Sequence, residues 1–231
     1  NGVKHGWNRP SSIKKGGMKV SYMAGGIRID VARAYSKGML TERYTFTNTT
    51  GKAVHLSEIG IYTPFNDNYP TSQTCMTNRC HAGIWPGGDY AYVMASKMSG
   101  RGAGLGLMTT ENGFTAYDVW ERAQDHAYSN FRGVIALSPA DCMLLKGGSV
   151  SMAWKLFAHN GTNDFYKRMV ALGGAVMSSD KYVYEVGETA KLTLTTAKGT
   201  STKKVRITKP GEVKVEMVNG NKSTYAELLG V

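Results

Sequence analysis

Ile27-Arg28-Ile29-Asp30-Val31 and Leu40-Thr41-Glu42-Arg43-Tyr44-Thr45-Phe46-Thr47 are the stretches on which the fold is decided. Ile27, Ile29 and Val31 alternate with Arg28 and Asp30, while Leu40, Tyr44 and Phe46 alternate with Thr41, Arg43, Thr45 and Thr47. Successive side chains of a strand point to opposite faces, so a period of two with one polar side marks half-buried antiparallel strands. Thr49-Thr-Gly-Lys52 then forms a turn cluster, and Val54 and Leu56 resume the pattern. Ile59 and Ile61 continue it on the opposite parity, which predicts a bulge near Ser57-Glu58. Further strands are expected over 90–97, 104–110, 113–120, 132–138 and 150–158, with Met152, Trp154, Leu156 and Ala158 sharing one face of the last. Eight or more short strands joined by Gly-rich turns predict an all-β chain, built as a large antiparallel β-sandwich.

One helix is expected. Phe165, Met169 and Leu172 fall at helical spacing behind a cap at Thr162 or Asn163, and Gly173-Gly174 stops the run. His159, opposite in parity to Trp154, is expected to point away from the core. The glycine pair and a change of composition place a domain boundary at 174, dividing a large domain of residues 1–174 from a small β module of residues 175–231. Lys181-Tyr-Val-Tyr-Glu-Val-Gly-Glu188 resembles the opening of bacterial immunoglobulin-like modules, and Gly211 to Val218 with Ser223 to Leu229 resembles their closing hairpin.

Composition bounds the class. With 231 residues, 42% hydrophobic, 19% charged and 3 Cys, the chain can bury a core without covalent staples. Its apolar runs reach about five residues, far short of the roughly 20 that a bilayer span needs. The start at Asn1-Gly2-Val3, without an initiator Met or a charged-then-apolar leader, is expected of a processed or trimmed product. The net charge of +11 is uneven, because residues 1–46 carry nine Lys/Arg against Asp30 and Glu42. Such an excess attracts anionic partners without choosing among them, and a solvated basic face is the plain alternative. Nucleic acid is disfavoured, since no helix clusters base-reading residues and no aromatic RNA-binding strand occurs.

Between Phe65 and Tyr90 the alternation breaks down, and a long excursion from a rigid sandwich is a place where chemistry is displayed. The run Thr41-Glu-Arg-Tyr-Thr-Phe46, Glu58-Ile-Gly-Ile-Tyr62, Phe65-Asn-Asp67 and Cys75-Met-Thr-Asn-Arg-Cys-His81 resembles the amino-terminal β-sandwich of multimodular carbohydrate-active enzymes of gut Bacteroidetes. Among these enzymes it resembles the rhamnose-glucuronate polysaccharide lyases. In those enzymes a galactose-mutarotase-like supersandwich and an immunoglobulin-like linker precede an (α/α) toroid. The resemblance extends over residues 25–231 in architecture and over about 40–90 in motif. It implies a secreted, periplasmic or outer-surface protein whose catalytic carboxy-terminal domain is missing here, and whose partner is a polysaccharide or oligosaccharide. The relatives carry a second His and a further Cys where this chain has Gly83 and Pro86, so whatever those residues do is missing.

The expected role is therefore a non-catalytic, substrate-contacting accessory region. The rivals are a stand-alone carbohydrate-binding or adhesion protein, and a lyase in its own right. In the lyase reading His81 is the base, Arg79 neutralises a uronate carboxylate and Tyr90 is the acid. The bland alternatives are a structural His81 at a strand start and an Arg79 paired with Asp67 or Asp89. Asn78, Trp85, Asp89 and Trp120 are candidate substrate contacts, aromatic faces covering pyranose C–H groups while polar neighbours bind hydroxyls. Cys75 and Cys80 are candidates for a disulfide, leaving Cys142 over. Two Cys and an adjacent His supply no well-spaced fourth ligand, so neither metal nor cofactor is expected. Asp118 and Glu121 are better read as solvated than as a glycosidase pair, and Gly100-Arg-Gly-Ala-Gly-Leu-Gly106 lacks the strand-to-helix setting of a dinucleotide loop.

Overall fold

A computed structural model describes residues 5–7, 9–14, 18–66, 71–121 and 133–231. In chain order the elements are β1 (Ser12–Lys14), β2 (Lys19–Ala24), β3 (Ile27–Ser36), β4 (Met39–Asn48), β5 (Val54–Leu56), β6 (Ile61–Asn66) and helix α1 (Ser72–Asn78). There follow β7 (Cys80–Trp85), a 3-10 turn (Gly88–Tyr90), β8 (Tyr92–Lys97), β9 (Gly104–Glu111), β10 (Phe114–Glu121), β11 (Gly133–Pro139), β12 (Cys142–Leu144), β13 (Ser149–His159) and helix α2 (Thr162–Ala171). The remainder is β14 (Val176–Ser179), β15 (Val183–Tyr184), β16 (Thr189–Thr196), β17 (Gly199–Arg206), β18 (Gly211–Asn219) and β19 (Lys222–Gly230).

The chain is an all-β sandwich. An eight-stranded sheet runs β1-β2-β3-β4-β13-β9-β8-β7, opposed by a three-stranded sheet β10-β11-β6 and the ribbon β12-β5. The alternation foreseen in β3 and β4 sets the register, with Ile29 opposite Phe46 and Val31 opposite Tyr44. Their apolar sides pack with Trp154, Met152, Leu107 and Val93 against Phe114, Leu137, Ile61 and Phe65. The parity change occurs where expected: Glu58 takes φ +51, and residues 57–60 leave the sheet between β5 and β6. A carboxylate enters this core. Glu42 is buried on the apolar side of β4, accepting from Arg33 Nε (2.7 Å) and from Trp154 Nε1 (2.9 Å), so each carboxylate oxygen has a donor.

The helix at 162 forms with two differences. Its cap is Gly161, which makes no side-chain cap bond, rather than Thr162 or Asn163. Asp164 supplies the anionic partner instead, accepting from Asn160 N–H and Arg168 Nε, each at 2.8 Å; the Arg168 bond, followed by the backbone bond, holds its carboxyl below the usual range. The second difference is that the helix buries what it covers: His159, pointing away from the sandwich core as expected, is only 1% exposed. Helix α2 covers the outer side of the sheet there, so Phe165 packs on Phe157 and Tyr92, and the His159 ring meets Phe165 edge-on. The glycines of the 100–106 run serve this packing. A Cβ at Gly104 would strike the His159 ring at 2.5 Å, and one at Gly106 would strike Phe165 and Phe157 at 2.7 and 2.8 Å.

The carboxy-terminal residues form two three-stranded sheets, β14-β16-β17 and β15-β19-β18. Between them lies a second core of Tyr184, Leu192, Leu194, Ile207, Val215 and Leu228, joined by Tyr90 from the large sandwich. Edge strand β17 exposes every residue except Val205 and carries Lys203, Lys204 and Arg206. Asp180 fastens this region, accepting from Tyr184 Oη (2.7 Å) and Lys191 N–H (2.8 Å). The Tyr184 bond is the largest cause of its carboxyl lying below the usual range.

Two outcomes are expected. Phe165→Ala, which empties a site 0% exposed, should lower stability by about 3–5 kcal/mol in denaturant titrations. Because Asp180 titrates lower folded than unfolded, its contribution is complete above the ordinary carboxylate pKa and lost as pH falls through the folded value. Acid unfolding followed at the carboxy-terminal sheets should therefore lose part of its pH dependence below about pH 4 in Asp180→Asn.

Candidate functional site

The described part of the excursion between Phe65 and Tyr90, residues 71–90, is more ordered than a loop. Thr71 caps α1 by accepting from Thr74 N–H (3.1 Å), and the Arg79 N–H closes the helix on the Cys75 carbonyl (3.2 Å). Strand β7 then pairs with β8, His81 opposite Ser96 and Trp85 opposite Tyr92. Its alternation sorts the side chains: Cys80, Ala82 and Ile84 turn to the large core, leaving His81, Gly83 and Trp85 on the outer side.

The expected site residues consequently fall into two groups. Asn78 and His81 are exposed and Arg79 is half-buried, together at the start of β7. Trp85 lies at its other end, about 13 Å from His81 at strand rise, stacked on Tyr92 with ring centroids 6.2 Å apart and planes 6° apart. Tyr90 is farther on and buried in the second core, its hydroxyl accepting from Asn219 Nδ2 (3.0 Å). His81 and Arg79 are thus not brought together with Tyr90. Asp89 also lies away from Arg79 and His81, its Oδ2 accepting the Ser223 N–H (2.8 Å) at the joint with β19. The Trp120 side chain, Asp67 and residues 122–132 lie outside the described residues.

The disulfide expected between Cys75 and Cys80 is corrected: no bond joins the two in this structure. Residues 72–78 coil as a helix, which fixes Cys75 buried on α1 while Cys80 opens a strand, so the two do not face each other across a loop.

Sequence reasoning missed the concave feature. The β18–β19 hairpin docks on the large sandwich through bonds from Ser223 to Asp89, from Tyr225 Oη to the Pro86 carbonyl (2.7 Å), from Asn219 to Tyr90 and from Lys222 Nζ to the Thr110 carbonyl (3.1 Å). Burial, then the nearby Glu227 charge, pushes the Tyr225 hydroxyl up, keeping it a neutral donor. Glycines permit the approach. Gly88 has φ +76 and a Cβ there would lie 2.9 Å from the Ser223 carbonyl oxygen, while a Cβ at Gly113 would overlap the Gly88 carbonyl. Beside this joint a cleft of about 630 Å3 opens between the two bodies. The core residues Phe46, Ile59 and Met152 border it from within, and Asp89, Asp141, Lys214, Glu216 and Tyr225 stand around it. Cys142 also lines it, but burial and Asp141 raise its pKa, so the unreactive thiol form prevails. Among the described residues no three His, Cys, Asp or Glu side chains group as a metal site, and no helix is long and apolar enough to cross a membrane.

This is a polysaccharide lyase-like β-sandwich fold. A solved structure described as a polysaccharide lyase superposes on this chain with a TM-score of 0.88 and 37% sequence identity, covering 96% of this chain and 36% of that one. The chain therefore spans about a third of the length of that structure. No family model matches the chain, and no curated protein matches it.

The docked hairpin generates a prediction. Removing two of its polar ties, in Asp89→Ala combined with Tyr225→Phe, should split one calorimetric transition into two, the carboxy-terminal sheets melting first; Tyr225→Phe alone should cost about 1 kcal/mol.

Proposed function

We propose that this chain is a non-catalytic, substrate-contacting region of a polysaccharide-degrading enzyme, with residues 1–174 as its supersandwich and residues 175–231 as a small immunoglobulin-like module. The observation that carries the reading is the likeness over 96% of this chain to about a third of a polysaccharide lyase. The separate cores of the two bodies support the division. The distance between His81 and Tyr90 supports an accessory role over self-contained lyase chemistry, since an acid and a base must both reach the reacting sugar.

Asn78, Arg79 and His81 then form the contact with a uronate-bearing glycan. The planar guanidinium matches a carboxylate through paired hydrogen bonds, with the amide and imidazole beside it for hydroxyls. Such a substrate is too large to enter a cell, which supports a secreted, periplasmic or outer-surface location. The remainder of the enzyme supplies the reaction and packs against this region.

Calorimetry with a glucuronate-bearing oligosaccharide tests the reading. Arg79→Ala should weaken binding about tenfold, equivalent to about 1.4 kcal/mol, and His81→Ala less. Incubation of the chain alone should yield no absorbance from unsaturated uronate. Binding indifferent to Arg79→Ala, or accumulation of unsaturated product, would overturn it.

A further inference from the structure

The cleft at the joint has a chemical character opposite to that of the basic chain around it. Its accessible apolar lining is Pro139, Ala140 and Val150, while Phe46, Ile59 and Met152, which also border it, are core residues 2%, 8% and 1% exposed. Around it stand the carboxylates of Asp89, Asp141 and Glu216 against one ammonium, Lys214, in a chain whose net charge is +11. That ammonium is already engaged, 3.7 Å above the centroid of the Tyr225 ring. Asp89 and Asp141 each commit one oxygen to a backbone N–H, of Ser223 and Glu58, which fixes their orientation and leaves acceptor capacity over.

We propose that this cleft is a second glycan subsite, which takes a neutral glycosyl unit and rejects a uronate. The inference takes its ligand class from the carbohydrate reading above, and its location and selectivity from the cleft alone. A volume of about 630 Å3 falls within the range of about 300–1,000 Å3 typical of small-ligand sites, which favour domain junctions and pair an apolar lining with few polar groups. Pyranose C–H faces suit Pro139, Ala140 and Val150, and carboxylate oxygens accept from sugar hydroxyls with charge-assisted strength. A carboxylate-bearing sugar would bring a further negative charge among three carboxylates, which like-charge repulsion opposes. The glycines at the joint and the four polar ties hold the walls in place before a ligand arrives, which lowers the ordering cost of binding.

The experiment is a pair of NMR titrations of the intact chain, with xylotriose or galactotriose as neutral probes and aldotriouronic acid as the charged one. The neutral probes should shift amides of Asn112, Glu216 and Tyr225, and the charged probe should do so at least about tenfold more weakly. Thr115→Trp, at an exposed position on the cleft, should abolish the neutral response by filling the space. Glu216→Gln, which removes a charge and leaves the shape, should narrow the difference between probes. Arg79→Ala should leave the cleft response intact, so a failure at Asn78–His81 and a failure here are separately visible. Absence of neutral-probe shifts in the cleft, equal response to the charged probe, or shifts that survive Thr115→Trp would overturn the proposal.

Discussion

Burial of the eight-stranded sheet on both of its faces, at the β13-β9-β8-β7 end only, is the constraint on which the rest depends. On the inner side Trp154, Leu107 and Val93 belong to the sandwich core, and on the outer side Phe157, Met108 and Tyr92 lie under α2. Among the described residues the β1–β4 end has such cover only at Met39. There the outer side carries Arg28, Asp30, Arg43 and Thr45, satisfied by the Arg28–Asp30 and Arg43–Glu111 pairs and the Thr45–Ser151 bond. A strand buried on both sides loses its polar parity, whereas one buried on a single side keeps it. The same sheet thus reads in two ways along its width.

This asymmetry positions everything the chain offers to a partner. The covered end brings Trp85, the Gly87-Gly88 approach and Tyr90 into contact with β19, so residues that look displayed in sequence become the seat of the carboxy-terminal sheets. The start of β7, beyond the reach of that cover, leaves Asn78 and His81 in solvent. The cleft lies where the hairpin seats at one edge of the sandwich, beside Pro139, Ala140 and Val150.

What the sequence disclosed follows the same line. Strands β3, β4 and β13 were legible because one face of each is wet or evenly apolar, and the parity change at Glu58 was legible because a one-residue shift is the only way to keep Ile59 and Ile61 inside. Helix α1 was not, since Ser72-Gln-Thr-Cys-Met-Thr-Asn78 has no apolar period and weak helix formers; only Thr71, a good capping residue, hinted at it. The side to which His159 points was legible from parity, but its burial under α2 was not, because parity arguments assume one dry face. Asp89 and Tyr90 were beyond reach for a different reason: their partners, Ser223 and Asn219, lie 134 and 129 residues away. No local pattern encodes a contact at that separation. The bridge expected of Cys75 and Cys80 failed through the unrecognised helix.

Edge strand β17 carries a consequence of its own. An unpaired ladder of N–H and C=O groups invites a neighbour's strand to add to it, and lysines along such an edge are a common safeguard. With Lys203, Lys204 and Arg206 on β17, two copies approaching rim to rim would oppose like charges before any ladder could form. Crowding at high local density is thereby rendered self-limiting, and fibrillar growth from this side of the molecule has no seed.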